Sequence, residues 1–324
     1  MPVINRTNQF KPPFLLFNGH IQTITASLLR KPPHVDYQRE RLTLSDGDFV
    51  DLDWIDKHSK KLVVITHGLE GSSARPYVVG AAHTMSEAGY DVISWNCRSC
   101  SGEMNKALRL YHHGEIGDIG EVIAHAIAKK GYDEVNLIGY SMGGNITLKY
   151  LSENAGQLPK QVNKGVSISA PVDLKAGIRV IEEPRNFLYN KKFHRSLKAK
   201  MKIKAELFPG VIDVERLDSV TTWHEFDKYF TCPILGYDTP DDFYYAASSI
   251  NFAPKLKNHV LLLQAINDPI LAPECFPTEF CENHEYLHLE VTQHGGHVGF
   301  ETNKKGIYYS EQRALEWIRG DKSN

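Results

Sequence analysis

The chain has 324 residues, of which 42% are hydrophobic and 23% are charged, and this composition excludes collagen-like, coiled-coil and wholly disordered proteins. Its length suits two average domains or one large α/β domain with an insertion. The 37 Lys and Arg residues nearly balance the 39 Asp and Glu residues, for a net charge of -2. Because no large basic field is available, nucleic acid and other polyanions are poor candidate partners, and we expect no nucleic-acid partner.

The apolar runs and the cysteines bear on the compartment. The longest apolar runs, such as 62–65 and 260–263, are far shorter than the roughly 18 residues that cross a bilayer. The start, 1–13, lacks the apolar segment of a secretory signal. An odd number of scattered cysteines suits buried free thiols in a reducing compartment better than a disulfide framework. We therefore expect a cytoplasmic protein without an integral membrane segment.

The predicted elements begin with a hairpin and continue as alternating strands and helices. Segments 41–44 and 49–55 flank the turn cluster Ser45-Asp46-Gly47-Asp48, which predicts an antiparallel pair. Apolar runs typical of strands buried on both faces then alternate with helical patterns. The predicted strands are 61–66, 91–95, 135–140, 165–169, 259–264 and 287–292, and the predicted helices are 77–88, 116–130, 142–153 and 307–319. This alternation predicts an α/β fold with a mostly parallel, doubly wound sheet.

The strand pattern stops after Pro171 and resumes near His259. The interval contains a Lys-rich amphipathic stretch, 191–204, together with aromatic and acidic clusters. We predict one domain over 1–324, with a core of 1–171 and 259–324 and a helical cap inserted at about 172–258. The stretch 191–204 is interpreted as a cap helix over the mouth of the active site, in preference to a membrane-surface helix.

Gly139-Tyr140-Ser141-Met142-Gly143 forms a G-x-S-x-G motif directly after a predicted strand and directly before a predicted helix. In this context the serine occupies a sharp turn that exposes its Oγ, while the glycines let neighbouring backbone pass closely. A chance match in an ordinary turn is the alternative, and the flanking strand and helix argue against it. Ser141 is the predicted nucleophile.

A serine nucleophile needs a base that is oriented by a third group, and on this type of sheet the chain order is Ser, Asp or Glu, then His. Asp268 follows the predicted strand 259–264, and His297 lies in the loop after the last predicted strand. We predict a catalytic triad of Ser141, Asp268 and His297. His294 is the competing base, but the Gly-Gly pair before His297 favours His297.

An oxyanion intermediate also needs backbone N–H donors. One comes from the residue after the nucleophile, here Met142, and the other from the loop after the third strand, here Leu69. No side chain takes part, so these assignments rest on position. No metal or cofactor site is predicted.

Three further motifs compete with this assignment. His284-Glu285-Tyr286-Leu287-His288 matches H-E-x-x-H, but the alternation over 286–292 predicts a strand, on which the two histidines would not share a zinc ion. The lone C-x-x-C of 97–100 is interpreted as structural thiols. His113 and Asp118 are spaced as in some acyltransferases, but a loop histidine and a helix-start acid are the simpler interpretation.

Several segments together resemble the YheT-like α/β hydrolases, relatives of eukaryotic α/β-hydrolase-domain esterases and lipases, over nearly the whole chain. The matching segments are 19–24 (GHIQTI), 67–72, 100–103, 111–115, 139–143, 168–174, 243–245 and 295–300. The resemblance implies an α/β-hydrolase fold, carboxylic-ester hydrolysis by the same three residues, and no cofactor. One departure is Ser99, where the family has glycine, so we expect the loop after Trp95 to differ in shape.

These observations lead to a serine carboxylesterase that cleaves short- to medium-chain acyl esters or acylglycerol-like molecules, with a small-molecule ester as substrate. Aromatic residues of the cap are expected to line the pocket in part: Phe187, Phe208, Trp223, Phe226, Phe230, Phe243 and Tyr244. Acyl transfer through the same acyl-enzyme and a non-catalytic binding module are the alternatives. Peripheral lipid contact by the segment 10–17 is an alternative, but packing of this segment onto the domain needs no extra assumption.

Overall fold

A computed structural model describes residues 3–5 and 10–321 and contains a nine-stranded sheet. The strand order across the sheet is β1-β9-β8-β7-β6-β4-β5-β3-β2. The strands are β1 Val3–Asn5, β2 Gln38–Thr43, β3 Phe49–Ile55, β4 Lys61–Thr66, β5 Asp91–Asn96, β6 Glu134–Tyr140, β7 Val162–Ile168, β8 Val260–Ala265 and β9 Leu287–Thr292.

Helices follow most strands and also fill the interval between β7 and β8. The α-helices are α1 Gly19–Ile24, α2 Pro76–Glu87, α3 Gly117–Lys130, α4 Met142–Glu153, α5 Leu174–Ile181, α6 Phe187–Leu207, α7 Val214–Ser219, α8 Trp223–Phe226, α9 Cys232–Leu235, α10 Pro240–Ala247, α11 Thr278–Glu282 and α12 Tyr309–Arg319. Two π-helical segments, Thr25–Leu29 and Asp227–Thr231, and four short 3-10 turns complete the list.

The sheet is parallel except at one edge, where β2 pairs with β3 and β3 pairs with β5 in antiparallel register. The central strands β4 to β8 are buried almost throughout, because helices cover both faces of the sheet. Since parallel strands end at the same edge, the loops after β4, β6, β8 and β9 lie close together. This edge carries the site described below.

The predicted hairpin and the six later strands are confirmed, with ends that differ by at most a few residues. The last helix begins at Tyr309 instead of residue 307, because Tyr308 forms an extended bridge with Glu301. The short strand β1, which pairs with β9, was not predicted. With three residues it is too short to show an alternating pattern.

Between β7 and β8 the chain forms helices α5 to α10 and short helical turns, without a strand among these described residues. Helix α6 is longer than the predicted stretch 191–204 and spans 21 residues. Its buried side chains Leu197 and Met201 pack with an apolar cluster that includes Trp223 and Phe230. This segment therefore has an apolar cluster of its own, while Ala176 and Val180 of α5 belong to a cluster that covers the sheet.

Two further predictions can be compared with the structure. All five cysteines are buried and free, as expected, and they are Cys97, Cys100, Cys232, Cys275 and Cys281. Within residues 3–5 and 10–321, no helix combines the length and the apolar character that a membrane span requires.

Candidate active site

Ser141 lies at a sharp turn between β6 and α4, with φ 55° and ψ -121°. This is a strained conformation for a residue with a side chain. The flanking glycines are required by space: a Cβ atom on Gly139 would lie 2.1 Å from the Gly143 oxygen, and one on Gly143 would lie 2.3 Å from the Thr66 oxygen. The turn thus lifts the serine side chain above the carboxyl edge of the sheet, as the motif predicts.

The three predicted catalytic side chains lie in one hydrogen-bonded chain. The His297 Nε2 atom is 2.8 Å from Ser141 Oγ, and the His297 Nδ1 atom is 2.9 Å from Asp268 Oδ2. The competing base, His294, is not part of this chain, and its Nδ1 is buried without a hydrogen-bond partner. The structure therefore joins three groups that are separated by 29 and 127 residues in sequence, in an arrangement suited to proton transfer from the serine.

Asp268 is held in place by its own loop after β8. Its Oδ1 accepts hydrogen bonds from the backbone N–H groups of Ile270 at 2.9 Å and Leu271 at 3.3 Å. The second oxygen is thereby left to face His297, and the carboxylate is almost wholly buried. A carboxylate fixed in this way orients the imidazole ring and stabilises its protonated form.

Helix α1 contributes two positioning residues that the sequence analysis did not assign. The Gln22 Oε1 atom accepts hydrogen bonds from Asn267 Nδ2 at 3.0 Å and from the Gly295 N–H at 2.8 Å. Thr23 Oγ1 accepts from the His297 N–H at 2.8 Å. Both side chains are buried, and together they join the acid loop to the histidine loop. The only sequence feature that pointed to these two residues is the resemblance of the segment 19–24 to the family, which assigned them no role.

The predicted oxyanion donors are Leu69, which lines the cleft with Ser141, and Met142, which follows the serine in sequence. Met142 is the first residue of α4, so its N–H has no partner within the helix. In the loop after β4, the Gly68 N–H donates to Tyr77 and the Glu70 N–H donates to Tyr111. Within the described part of the chain, the Leu69 N–H between them has no acceptor.

A buried histidine fixes the start of this loop. The Cys97 N–H donates to His67 Nε2 at 3.1 Å, so the other ring nitrogen carries the proton and donates to the Gly68 oxygen at 2.7 Å. Burial lowers the pKa of His67 to about 4, and the ring is neutral near pH 7. His67 therefore acts as a structural hydrogen-bonding group and not as a second base.

Glu70 ties the same loop to helix α6. Its carboxylate accepts hydrogen bonds from Lys200 Nζ at 2.7 Å, from Tyr111 Oη at 2.5 Å and from the Ser196 hydroxyl. Burial acts to raise the pKa of Glu70, but the Lys200 ammonium and these hydrogen bonds outweigh it and lower the pKa. The carboxylate is therefore charged, and it anchors α6 directly beside the predicted oxyanion donor Leu69.

An open cleft leads to Ser141 and His297. Most of its lining is apolar, and much of it comes from α5 to α10. Four of the seven cap aromatics named from the sequence line the cleft: Trp223, Phe226, Phe230 and Phe243. Phe187 is instead exposed, while Phe208 and Tyr244 lie outside the lining. An apolar cleft that ends at the predicted nucleophile suits the hydrocarbon part of a substrate.

Two further histidines and one acidic residue also line this cleft. Burial lowers the pKa of both His112 and His113 to about 4, which leaves both rings neutral near pH 7. Burial raises the pKa of Asp227 to about 6, although a hydrogen bond from Thr231 at 2.6 Å opposes the shift. Between about pH 4 and pH 6, His112, His113 and Asp227 therefore contribute little charge to the cleft.

In the structure, the side chains of the competing motifs are not arranged as a zinc site or a His–Asp pair would require. His284 lies in a turn and its Nδ1 accepts from the backbone of residues 286 and 287, while His288 lies on β9. Asp118 is held by Arg98 at 2.7 and 2.8 Å and is not hydrogen-bonded to His113. In the described ranges, no three His, Cys, Asp or Glu side chains form a group suited to a metal ion.

Ser99, the departure from the family pattern, has φ 63°. This is the left-handed region that glycine enters readily. Its hydroxyl lies 3.0 Å from the Met104 sulfur and is hydrogen-bonded to Asn105. A serine therefore adopts the backbone conformation that a glycine would take, with local hydrogen bonds to support it.

Comparisons with known proteins agree with this geometry. The family model described as "alpha/beta hydrolase fold" matches residues 61–304. The chain is 33% identical to "Putative esterase YheT" of Escherichia coli (strain K12), over 93% of this chain and 90% of that protein. It is 27% identical to "Phospholipase ABHD3" of Homo sapiens, over 92% of this chain and 75% of that protein.

A solved structure supports the same fold. The Pyrococcus furiosus esterase Pf2001 superimposes with a TM-score of 0.61 at 19% identity, covering 89% of this chain and 96% of that one. The mostly parallel sheet, the turn that carries Ser141 and the matched family model lead to the same assignment. The chain belongs to the α/β hydrolase fold family.

Proposed function

We propose that this protein is a serine esterase, with Ser141 as nucleophile, His297 as general base and acid, and Asp268 as the group that orients His297. The observation that carries the proposal is the continuous chain of hydrogen bonds at 2.8 and 2.9 Å from Ser141 through His297 to Asp268. The names of relatives, an esterase and a phospholipase, support ester cleavage as the reaction class.

In the first half-reaction, Ser141 Oγ attacks the carbonyl carbon of the ester while His297 Nε2 takes the hydroxyl proton. The carbonyl oxygen becomes an oxyanion, which accepts hydrogen bonds from the N–H groups of Leu69 and Met142. When the intermediate collapses, the alkoxide leaves with the proton from His297 Nε2. The acyl group remains bonded to Ser141 Oγ.

In the second half-reaction, water replaces the alcohol. His297 Nε2 takes a proton from the water as its oxygen attacks the acyl carbonyl carbon, and the same two N–H groups stabilise the second oxyanion. Collapse releases the carboxylic acid and returns the proton to Ser141 Oγ. Apart from the ester and water, the proposed steps use only groups of this chain.

The substrates are esters with an apolar acyl chain. The segment 172–258 acts as a cap, and its side chains Trp223, Phe226 and Phe230 surround the acyl chain in the cleft. Each methylene that enters such a cleft contributes about 0.8 kcal/mol of transfer free energy. The five buried, free cysteines favour a reducing compartment, and we propose a cytoplasmic location.

A panel of p-nitrophenyl esters graded in acyl length tests this proposal. We expect kcat/KM to rise at least about tenfold from the acetyl to the octanoyl ester, because the longer chain buries more apolar surface. Replacing the catalytic groups, Ser141→Ala or His297→Ala, is expected to lower kcat at least about 1,000-fold. Equal turnover of acetyl and octanoyl esters would contradict the acyl preference.

The matched control is His294→Ala, because His294 lies three residues from His297 but outside the hydrogen-bonded chain. This variant is expected to keep kcat within about threefold of the wild type. Product analysis with and without an added alcohol distinguishes hydrolysis from acyl transfer. A free acid as the main product in the presence of alcohol supports hydrolysis, and an exchanged ester would assign a transferase.

A further inference from the structure

Large apolar side chains project into solvent from two segments that are distant in sequence. In the N-terminal segment the exposed fractions are 94% for Phe14, 76% for Leu15 and 72% for Phe17, and at the start of α6 they are 58% for Phe187 and 72% for Leu188. Single exposed apolar residues are common, but a group of them marks a docking surface. We call these five residues, together with Ile266, the apolar rim.

Contacts between neighbouring residues bring the segments that carry the apolar rim together. The ring of His20 stacks on that of Tyr189, with 5.8 Å between centroids, and its Nδ1 lies 3.2 Å from the Tyr189 hydroxyl. Asn186 donates to the Pro269 oxygen at 2.7 Å, so the start of α6 lies against the loop after β8. Ile266 in that loop is 52% exposed.

The N-terminal part of the apolar rim is a fixed turn and not a loose tail. The Leu16 N–H donates to the Pro13 oxygen at 2.8 Å, which places Phe14 and Leu15 at the tip of the turn. Leu16 is buried, and its oxygen accepts a hydrogen bond from Gln22 Nε2 at 2.7 Å. The turn, held in this way, presents both apolar side chains to solvent.

Positive charge lies directly beside the apolar part of α6. Lys191 and Lys192 follow Phe187 and Leu188 by four residues, so they lie one turn further along the same helix face. Arg195 follows by another turn, and all three basic residues are exposed. In the part of the chain that the structure describes, no acidic side chain pairs with any of the three.

We propose that the apolar rim docks onto the surface of a phospholipid bilayer, with Lys191, Lys192 and Arg195 against anionic headgroups. Apolar side chains that enter the acyl boundary beside lysines at headgroup level are the pattern of interfacial helices. The unpaired cations favour an anionic lipid surface over a second copy of the same chain, which would place like charges together.

The apolar rim lies close to the loops that carry the proposed catalytic residues. Gln22 and Thr23, on the helix that follows the exposed turn, contact the loops of Asp268 and His297. A bilayer on this face therefore lies next to the catalytic loops, and α6, which carries part of the apolar rim, also supplies Phe193 and Leu197 to the cleft lining. Docking goes beyond the proposed function and is measured without any ester.

Sedimentation with vesicles tests the proposal. Vesicles of phosphatidylcholine alone are compared with vesicles that also contain phosphatidylglycerol, using the wild type, the double variant Phe14→Ser/Leu15→Ser and the double variant Lys191→Gln/Lys192→Gln. We expect the wild type to bind the anionic vesicles more tightly, and both variants to bind them at least about tenfold more weakly. Added salt should weaken wild-type binding.

The matched control is Leu207→Ser, which removes an exposed leucine at the other end of α6 and should leave vesicle binding unchanged. Hydrolysis of a water-soluble short-chain ester serves as the folding control and should be the same in all variants. Failure of the wild type to bind either vesicle would overturn the proposal. So would a dimer in light scattering that Phe14→Ser/Leu15→Ser dissociates, because the apolar rim would then be a contact between two copies.

Discussion

Gln22 lies more than 240 residues before Asn267 and Gly295, yet it accepts hydrogen bonds from both. The residues that perform the proposed chemistry were predictable because their order and positions relative to strands follow from the mechanism. The residues that position them were not predictable, because a glutamine near the start of the chain carries no local sign of a partner so distant. At the residue scale, the sequence therefore indicates the residues that react but not the residues that hold them in position.

Replacing Gln22 tests the support directly. Gln22→Met keeps the length of the side chain but leaves the Asn267 amide and the Gly295 N–H without their acceptor. We expect kcat to fall about 10- to 100-fold with KM changed less than about threefold, as for other residues that orient a first layer of functional groups. Steady-state kinetics on a soluble ester measures this. The exposed Gln157→Met is the control, and an unchanged kcat in Gln22→Met would contradict the positioning role.

At the scale of elements, Arg98 connects three parts of the fold. Its guanidinium is buried and pairs with Asp118 at the start of α3, with Asp48 in the β2–β3 turn and with Asp46 in the same turn. The sequence predicted the turn and the helix separately, but it gave no sign that one arginine joins them. Burial of several charges is tolerated here because each has a partner of opposite sign.

Removing this arginine is expected to destabilise the protein strongly. Arg98→Met leaves Asp48 buried without its countercharge and Asp118 with only the more distant Arg109 at 3.5 Å, at a cost of about 3–5 kcal/mol in the free energy of unfolding. Urea unfolding followed by circular dichroism measures this. The comparison is Arg179→Met, which breaks the exposed pair with Glu274 and should cost about 1 kcal/mol or less. Equal losses in the two variants would show that burial of the pair is not decisive.

In the segment between β7 and β8, the ionisation of Asp227 is expected to make the stability of the protein depend on pH. Burial raises the pKa of Asp227 to about 6. Between about pH 4 and pH 6, the carboxyl group is therefore protonated in the folded state and ionised in the unfolded state. The charged form therefore lowers stability above about pH 6, and this cost disappears below about pH 4. Asp227→Asn should be more stable than the wild type at pH 8, by roughly 1–3 kcal/mol.

Thermal unfolding of both proteins over this pH range measures the difference. The gap in Tm between Asp227→Asn and the wild type should narrow as the pH falls from 8 to about 4, where the carboxyl group becomes neutral in both states. The Thr231 hydroxyl can donate to the amide oxygen of asparagine as it does to the carboxylate, so the variant keeps this contact. A gap that does not change with pH would contradict a raised pKa.

At the scale of the whole molecule, the net charge does not reveal how charged residues are distributed over the surface. A net charge of -2 predicts no broad attraction to polyanions, yet Lys191, Lys192 and Arg195 lie near one another on α6 beside exposed Phe187 and Leu188, without an acidic partner among residues 3–5 and 10–321. The sheet was predictable because its apolar runs are a property of each strand. The contacts that bring the exposed segments to one face were not, since they depend on the folded arrangement of loops.

The central claim is that Ser141 carries the acyl group, and one measurement tests it most directly. The protein is treated with a fluorophosphonate probe, digested, and the modified peptide is sequenced by mass spectrometry. We expect a single modification at Ser141, lost in Ser141→Ala and slowed at least about 1,000-fold in His297→Ala, because His297 activates the serine. Modification of another residue, or undiminished labelling of Ser141→Ala, would contradict the account.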